Sequence, residues 1–150
     1  MIARWWRQRL TVSSIRGVRG AITVDANTRA AIAEATIQLI EAMQEANAVG
    51  PDQVISAVFT LTPDLTAGFP AEAARQAGWG DVPLLCATEI GVPGALPRCL
   101  RVLVHAERRW TAAPRPVYLR GAVSLRPDLA AEPEITIPRI TSSTPAASTR

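Results

Sequence analysis

The stretch SIRGVRGAITVDANTRAAIAEATIQLIEAMQEANAVG, residues 14–50, changes its hydrophobic period partway along. Up to Val24 the side chains alternate, so that Val18, Ile22 and Val24 share one side while Ile15 and Arg19 share the other. A period of two is typical of a strand, although the glycines within this stretch weaken the pattern. We therefore predict a strand over residues 14–24.

A helix is predicted directly after this strand, within residues 25–50. The dipeptide Gly50-Pro51 is a signal that ends a helix. Asp25, Asn27 and Thr28 are candidates for its N-cap, because their short polar side chains can accept a hydrogen bond from the first turn. An apolar stripe at a spacing near 3.6 residues predicts the buried side of the helix. Its members are Ile32, Ala35, Leu39, Met43 and Ala46.

The remaining sequence predicts one more helix and several strands. A short helix is expected over residues 70–78, with Pro70 in its first turn and Gly78 at its end. The order of elements predicts an α+β fold: a mixed β-sheet packed with helices, starting with a right-handed strand–helix–strand unit. Strands are expected over residues 53–62, 100–107, 116–119 and 122–126, with an extended segment at 81–89 and a tight turn between the last two strands.

Length and composition indicate one globular domain with an addition at each end. Of the 150 residues, 48% are hydrophobic and 19% are charged, which is enough to form a core. The absence of an apolar run of about 18 residues predicts no membrane span, and the opening MIARWWRQRL lacks the apolar centre of a secretory signal, which favours a cytoplasmic location. We expect a basic, tryptophan-containing extension at 1–13, a folded domain at 14–130 and a flexible tail rich in Pro, Ser and Thr at 131–150.

The distribution of basic residues argues against a nucleic-acid partner. All 16 basic residues are arginine, and Arg4, Arg7 and Arg9 lie in the first ten residues, where there is no acidic residue. The other 13 arginines are matched by 13 acidic residues. The positive excess therefore belongs to a short extension and not to a folded surface.

Covalent, metal and histidine chemistry have little support in the sequence. His105 is the only histidine, and its alternation with Arg101 is more typical of a core or interface residue than of a catalyst. Cys86 and Cys99 are thirteen residues apart, which matches no zinc or redox spacing. They are interpreted as buried small hydrophobic residues, with contact between one of them and a ligand as the alternative.

The stretch EIGVPGALPRCLRV, Glu89 to Val102, places Arg101 inside an apolar run. A guanidinium does not lose its proton, so burying it requires a carboxylate partner from the protein or from a ligand. Together with Arg19, Arg126 and Tyr118 on predicted strands, Arg101 suits a small dicarboxylate, because guanidinium groups match carboxylate geometry. Pairing of each arginine with a protein acid at a surface or subunit edge is the alternative.

Four sequence blocks, IRGVRGAITV, TPDLTAGFPAEAAR, VPLLCATEIGVPGALPRCLRV and VYLRGAVSLRPDL, resemble the monofunctional AroH-type chorismate mutases in order and spacing. The resemblance extends from about Ile15 to Leu129. It implies a pseudo α/β-barrel homotrimer with active sites between subunits. It also implies an isomerase of the shikimate pathway that converts chorismate to prephenate for phenylalanine and tyrosine biosynthesis, without a cofactor, a metal or a covalent intermediate.

The resemblance also implies which residues form the site. Arg101 would face the ether oxygen of the substrate, where negative charge develops as the C–O bond breaks. Glu89 would balance the positive charge and accept a hydrogen bond from the substrate hydroxyl. The catalytic residues would be Arg101, Glu89 and Arg19; the substrate-binding residues would be these three with Phe69, Ala71, Arg75, Leu84, Leu85, Cys86, Tyr118, Leu125 and Arg126.

Two positions depart from the family pattern. Glu72 stands after Ala71, where a relative has lysine, so the charge at the rim of the site differs. Leu85 replaces a hydroxyl residue before Cys86, which matters little if this position contributes through its backbone.

Two alternative functions remain open at the level of sequence. The first is a trimeric imine deaminase of the Rid/YjgF kind, in which an arginine also binds a substrate carboxylate. The second is a non-catalytic binding module, in which the extension at 1–13 docks a partner or an anionic surface.

Overall fold

The computed structural model describes residues 12–130 and contains one mixed sheet. The strands are β1 (Ser14–Thr23), β2 (Val54–Leu61), β3 (Leu84–Thr88), β4 (Cys99–Arg108) and β5 (Val117–Leu119), in the spatial order β3-β2-β4-β1-β5. The central strand β4 runs antiparallel to both β1 and β2, whereas β3 pairs in parallel with β2 and β5 in parallel with β1. The helices are α1 (Arg29–Asn47), α2 (Pro70–Ala74) and α3 (Pro127–Ala130). The predicted α+β class and mixed sheet are confirmed.

The two faces of the sheet differ in what covers them. One face packs against α1 through Val102 and Val104 of β4 and through Val18 and Ile22 of β1, all of which are buried. The alternate residues of β4, which include Leu103 at 39% exposure, point to the opposite side. We call this opposite side the open face. Because side chains alternate along a strand, the register assigns every strand residue to one of the two faces.

Of the three N-cap candidates, Thr28 caps α1. Its side chain accepts a hydrogen bond from the backbone N–H of Ala31. Asn27 instead holds a distant loop: its side-chain oxygen accepts hydrogen bonds from the N–H groups of Thr66 and Ala67, at 2.8 and 3.0 Å. The helix therefore begins where the sequence predicts, and the same turn positions the loop that precedes α2.

The end of α1 differs from the predicted stripe. Ile32, Ala35, Leu39 and Met43 are buried, but Ala46 is only partly buried. The buried residue in this turn is Asn47, which donates 2.9 Å hydrogen bonds to the carbonyl groups of Met43 and Arg115 and accepts one from the Arg115 N–H. The buried amide is tolerated because these bonds satisfy it.

The prediction of a strand over residues 122–126 is wrong. Arg120 adopts a left-handed backbone conformation, and Arg120–Leu125 then forms a 3-10 helix instead of the second half of a hairpin. The N–H of Gly121 donates to the Thr23 hydroxyl at 2.9 Å, and Ala122 is buried beside Ala21 and Cys99. These contacts with β1 and β4 override the local alternation.

The helix predicted at 70–78 is shorter than expected. Pro70 does occupy its first turn, but α2 ends at Ala74 and a wider π-type turn, Arg75–Trp79, follows with Gly78 at φ 99°. Within residues 12–130 no helix is long and apolar enough to cross a membrane. The tail at 131–150 and residues 1–11 of the predicted extension lie outside the described residues.

Candidate functional site

Arg101 is the central charged residue of the open face. It lies on the middle strand β4, opposite Ala21 of β1 and Thr60 of β2. Its guanidinium donates to the Glu89 carboxylate, and that carboxylate also accepts a 2.6 Å hydrogen bond from the Thr60 hydroxyl. The side chain of Arg101 is 33% exposed and that of Glu89 13% exposed, so both charges are largely withdrawn from water. The carboxylate partner that the sequence requires is present.

The Arg101 charge is retained in this setting. Burial lowers the pKa of Arg101, whereas the hydrogen bond and charge of Glu89 raise it, and the net pKa lies above the ordinary arginine value. A partly buried guanidinium has a stronger field than one in water, because less solvent screens it. The arrangement can therefore stabilise negative charge on a ligand placed beside it.

Two more predicted polar residues point to the same face. Arg19 lies opposite Leu103, which makes it the diagonal neighbour of Arg101, about 7–8 Å away between backbones. Tyr118 of β5 lies opposite Ala21 of β1, and it is close enough to Arg101 to raise the pKa of its guanidinium. We call Arg19, Thr60, Glu89, Arg101 and Tyr118 the open-face cluster.

The 3-10 helix closes one end of this cluster. Leu125 and Tyr118 pack against the buried group formed by Ala21, Cys99 and Ala122. Arg126 follows, also near Tyr118, and forms an ion pair with Asp128 at 2.7 Å. Leu125 and Arg126, both predicted to bind substrate, thus lie next to the cluster.

A concave region lies beside the edge strand β3. It is a cavity of about 440 Å³ between β3, the loop before α2 and the first turns of α1 and α2. Phe69, which is 71% exposed, and the half-buried Cys86 contribute to it. We call this cavity the edge pocket. Its lining is Arg29, Leu61, Leu65, Thr66, Ala67, Gly68, Phe69, Glu72, Cys86, Ala87 and Thr88.

The open-face cluster and the edge pocket do not converge within one chain. Cys86 lies opposite the buried Phe59, so it faces the helices, whereas Thr60 and Arg101 face the open side. Glu89, which follows β3 directly, reaches the open side instead. The predicted site residues are therefore divided between two faces of the sheet.

The other predicted residues lie around the edge pocket or the sheet edge. Ala71 is buried in α2, and Leu84 is partly buried against the core. Arg75 is exposed, and its positive charge is close enough to Glu72 to help lower the pKa of that carboxylate. Leu85 is 68% exposed and shares the open face with Val58 and Leu103.

Sequence reasoning missed Thr60 and Arg29. Thr60 lies in a predicted strand, but only the pairing of β2 with β4 brings it next to Glu89. Arg29 was not singled out, although it lines the edge pocket and bonds to Glu72 at 2.5 and 2.6 Å. Between residues 12 and 130 no group of three or more His, Cys, Asp or Glu side chains could hold a metal ion.

Comparison with known proteins gives consistent results. The family model for chorismate mutase type I matches residues 15–129. The chain is 54% identical over 121 residues to chorismate mutase AroH of Thermus thermophilus, covering 77% of this chain and 96% of the relative. It is 43% identical over 120 residues to chorismate mutase AroH of Bacillus subtilis (strain 168), covering 77% and 92%. A solved chorismate mutase from Clostridium thermocellum superposes with a TM-score of 0.69 at 42% identity, covering 73% of this chain and 98% of the other.

Proposed function

The chain belongs to the type I chorismate mutase family, and on this basis we propose that it catalyses the rearrangement of chorismate to prephenate in aromatic amino acid biosynthesis. The enzyme is an isomerase. The observation that carries the mechanism is the position of Arg101 on the central strand, partly buried, paired with Glu89 and flanked by Arg19 and Tyr118. The family match leaves no support for the imine deaminase or the non-catalytic module.

The reaction needs charge stabilisation more than proton transfer. In this Claisen rearrangement the ether C–O bond breaks ahead of full C–C bond formation, so negative charge accumulates on the ether oxygen. Arg101 donates to that oxygen and stabilises the transition state more than the ground state. Because Glu89 already holds the guanidinium in place, and Thr60 in turn holds Glu89, little reorganisation is needed as the charge develops.

Binding supplies the second part of the rate enhancement. Arg19 and Tyr118 hold substrate carboxylates and keep the enolpyruvyl group over the ring, a conformer that is scarce in solution. Glu89 accepts a hydrogen bond from the ring hydroxyl. No general acid or base, metal or cofactor takes part in this scheme.

We further propose that each active site forms between neighbouring subunits of a homotrimer. In one chain Cys86 and Arg101 point to opposite faces of the sheet, so in this proposal the Phe69 and Cys86 of one subunit complete the cluster of the next. Exposed apolar side chains on and beside the open face support this, since patches of this kind mark interaction surfaces. They are Ile15 at 58%, Leu85 at 68%, Ile90 at 88% and Val92 at 59% exposure.

The proposal places the catalytic unit at residues 14–130 and the reaction in the cytoplasm. When purified protein is incubated with chorismate, the ultraviolet absorbance of chorismate should fall as prephenate forms. Light scattering should give a particle mass three times the chain mass of 16.0 kDa. Chorismate that remains unchanged would overturn the function. A fully active monomer would overturn only the trimer.

A further inference from the structure

The first turn of α1 carries a charge that the helix itself disfavours. Arg29 is the first helical residue, and there is no acidic residue in the first turn. Because the N-terminus of a helix bears partial positive charge, a cation there is unfavourable. Arg29 is therefore not explained by the stability of α1.

What holds Arg29 is Glu72 of α2. The Nη2 atom of Arg29 donates to both carboxylate oxygens, at 2.5 and 2.6 Å, and both side chains remain in solvent, at 73% and 43% exposure. The hydrogen bond and charge of Arg29 hold the pKa of Glu72 below its usual range, so Glu72 is a carboxylate at neutral pH. Exposed pairs of this kind add little to stability.

The pair lies at the mouth of the edge pocket, next to residues proposed to bind substrate. Arg29 and Glu72 both line that cavity together with Phe69 and Cys86. The loop before α2 packs closely on Arg29: a Cβ added to Gly68 would lie 3.4 Å from the Arg29 Cα and Cγ atoms. The backbone of Arg29 is thus fixed beside the pocket, and Glu72 limits where its guanidinium can go.

We propose that Arg29 is a substrate-binding residue, whose guanidinium attracts and contacts a carboxylate of the dianionic substrate at the mouth of the edge pocket while Glu72 holds it in place. Glu72 occupies only Nη2, and within residues 12–130 no protein acceptor bonds to Nε or Nη1 of Arg29. These two nitrogens are free to donate to a carboxylate. In this way Arg29 cancels the negative charge of Glu72, which stands in place of a relative's lysine, and still presents guanidinium donors at the rim. The inference rests on the proposed chorismate mutase activity.

Steady-state kinetics with chorismate test this. Arg29→Gln should raise KM about 3- to 10-fold and leave kcat within about twofold, an effect smaller than that of a buried charged bond because the site is open to water. Arg29→Lys should recover most of the loss. Arg109→Gln is the matched control: it removes the same charge from an exposed arginine beyond the far end of β4 and should leave KM unchanged.

Reversing the charges of Arg29 and Glu72 distinguishes a role of Arg29 in substrate binding from a purely structural role. Arg29→Glu should raise KM beyond Arg29→Gln, and the double variant Arg29→Glu/Glu72→Lys should return KM to within about threefold of wild type, because the pair then presents its cation from position 72. The wild-type KM should also rise more steeply with salt than that of Arg29→Gln.

The outcomes are distinguishable. An Arg29→Gln variant with the KM of Arg109→Gln, a fall in kcat at constant KM, or a double variant that stays as weak as Arg29→Glu would overturn the role of Arg29 alone. Wild-type protein without activity on chorismate would overturn the proposed function, and this inference with it.

Discussion

The open-face cluster and the edge pocket each pair an arginine with a glutamate, in different surroundings. Arg101 and Glu89 are 33% and 13% exposed, and Glu89 also accepts a hydrogen bond from Thr60. Arg29 and Glu72 are 73% and 43% exposed, and solvent reaches both. The less solvent surrounds a pair, the stronger is its field on a neighbouring group. This difference suits the roles proposed for the two pairs, in which Arg101 stabilises a developing charge and Arg29 attracts a charged substrate.

The largest expected effect follows from removing the charge at position 101. Replacing Arg101 by citrulline through semisynthesis keeps the shape of the side chain, and kcat should fall by about 10²–10³-fold or more, with a much smaller change in KM. Arg101→Lys should be similarly poor, because an ammonium lacks the planar fork. Arg109→Lys is the control: it replaces the guanidinium of an exposed arginine that lies outside both regions.

A citrulline variant that folds normally and keeps more than about a tenth of the wild-type kcat would contradict the role assigned to Arg101, since loss of a single preorganised donor costs more than that. That result would mean that the Arg101–Glu89 pair has only a structural role, so the proposed difference in function between the open-face cluster and the edge pocket would no longer hold.

The cysteines provide a chemical comparison of the same two regions. Burial raises the pKa of Cys99, under the open-face cluster, to about 11, although the charge of Arg101 lowers it in part. Cys86 is half-buried in the lining of the edge pocket. Iodoacetamide at pH 8 should therefore react only very slowly with Cys99, because the thiolate is the nucleophile and Cys99 rarely forms it, whereas Cys86 in the pocket lining should be modified.

Peptide mass spectrometry over time measures both rates, and chorismate should slow the reaction of Cys86. Equal rates at the two cysteines would contradict the suppressed reactivity of the buried Cys99, and a Cys86 rate indifferent to substrate would mean that the edge pocket does not bind the ligand.

The smallest effect is expected from the hydroxyl that supports Glu89. Thr60→Val removes the 2.6 Å hydrogen bond but keeps the side-chain volume, so Glu89 and Arg101 should lose some of their fixed geometry. We expect kcat to fall about 3- to 10-fold, below the full cost of a charged hydrogen bond because the Arg101 bond remains. Ser56→Ala removes a hydroxyl from the same strand at His105 and should leave kcat unchanged. Equal kcat values for the two variants would show that Thr60 has no positioning role.

The sheet and α1 could be predicted from the sequence because their patterns are local. The alternation in β1 and β4 and the stripe from Ile32 to Met43 each reflect one buried side, and Thr28 caps α1 through a bond within its own turn. Arg101 could be identified as needing a partner, because a guanidinium among aliphatic residues is costly to bury unless a carboxylate lies beside it.

The remaining features depend on contacts between distant parts of the chain. Residues 122–126 alternate like a strand, yet contacts of this segment with Thr23, Ala21 and Cys99 place it in a 3-10 helix that starts at Arg120. Thr60 and Arg29 gain their roles only when β2 meets β4 and α1 meets α2, so no local pattern marks them. The separation of the predicted site into two regions likewise follows from strand register.

The central claim is that the open-face cluster of one chain and the edge pocket of another form one site, and subunit mixing tests it most directly. Arg101→Gln disables the cluster, and Phe69→Asp, at an exposed position, disables the pocket. Refolded separately, each variant should be inactive. Refolded together in equal amounts, they should recover about one quarter of wild-type activity, because a quarter of the interfaces then pair an intact cluster with an intact pocket.

Wild type refolded with the double variant Arg101→Gln/Phe69→Asp is the matched control, and a site shared between chains should give about one quarter of wild-type activity there as well. If each chain instead held a complete site of its own, the two single variants would recover nothing together and the control mixture would keep about one half. That result would contradict a site shared between chains.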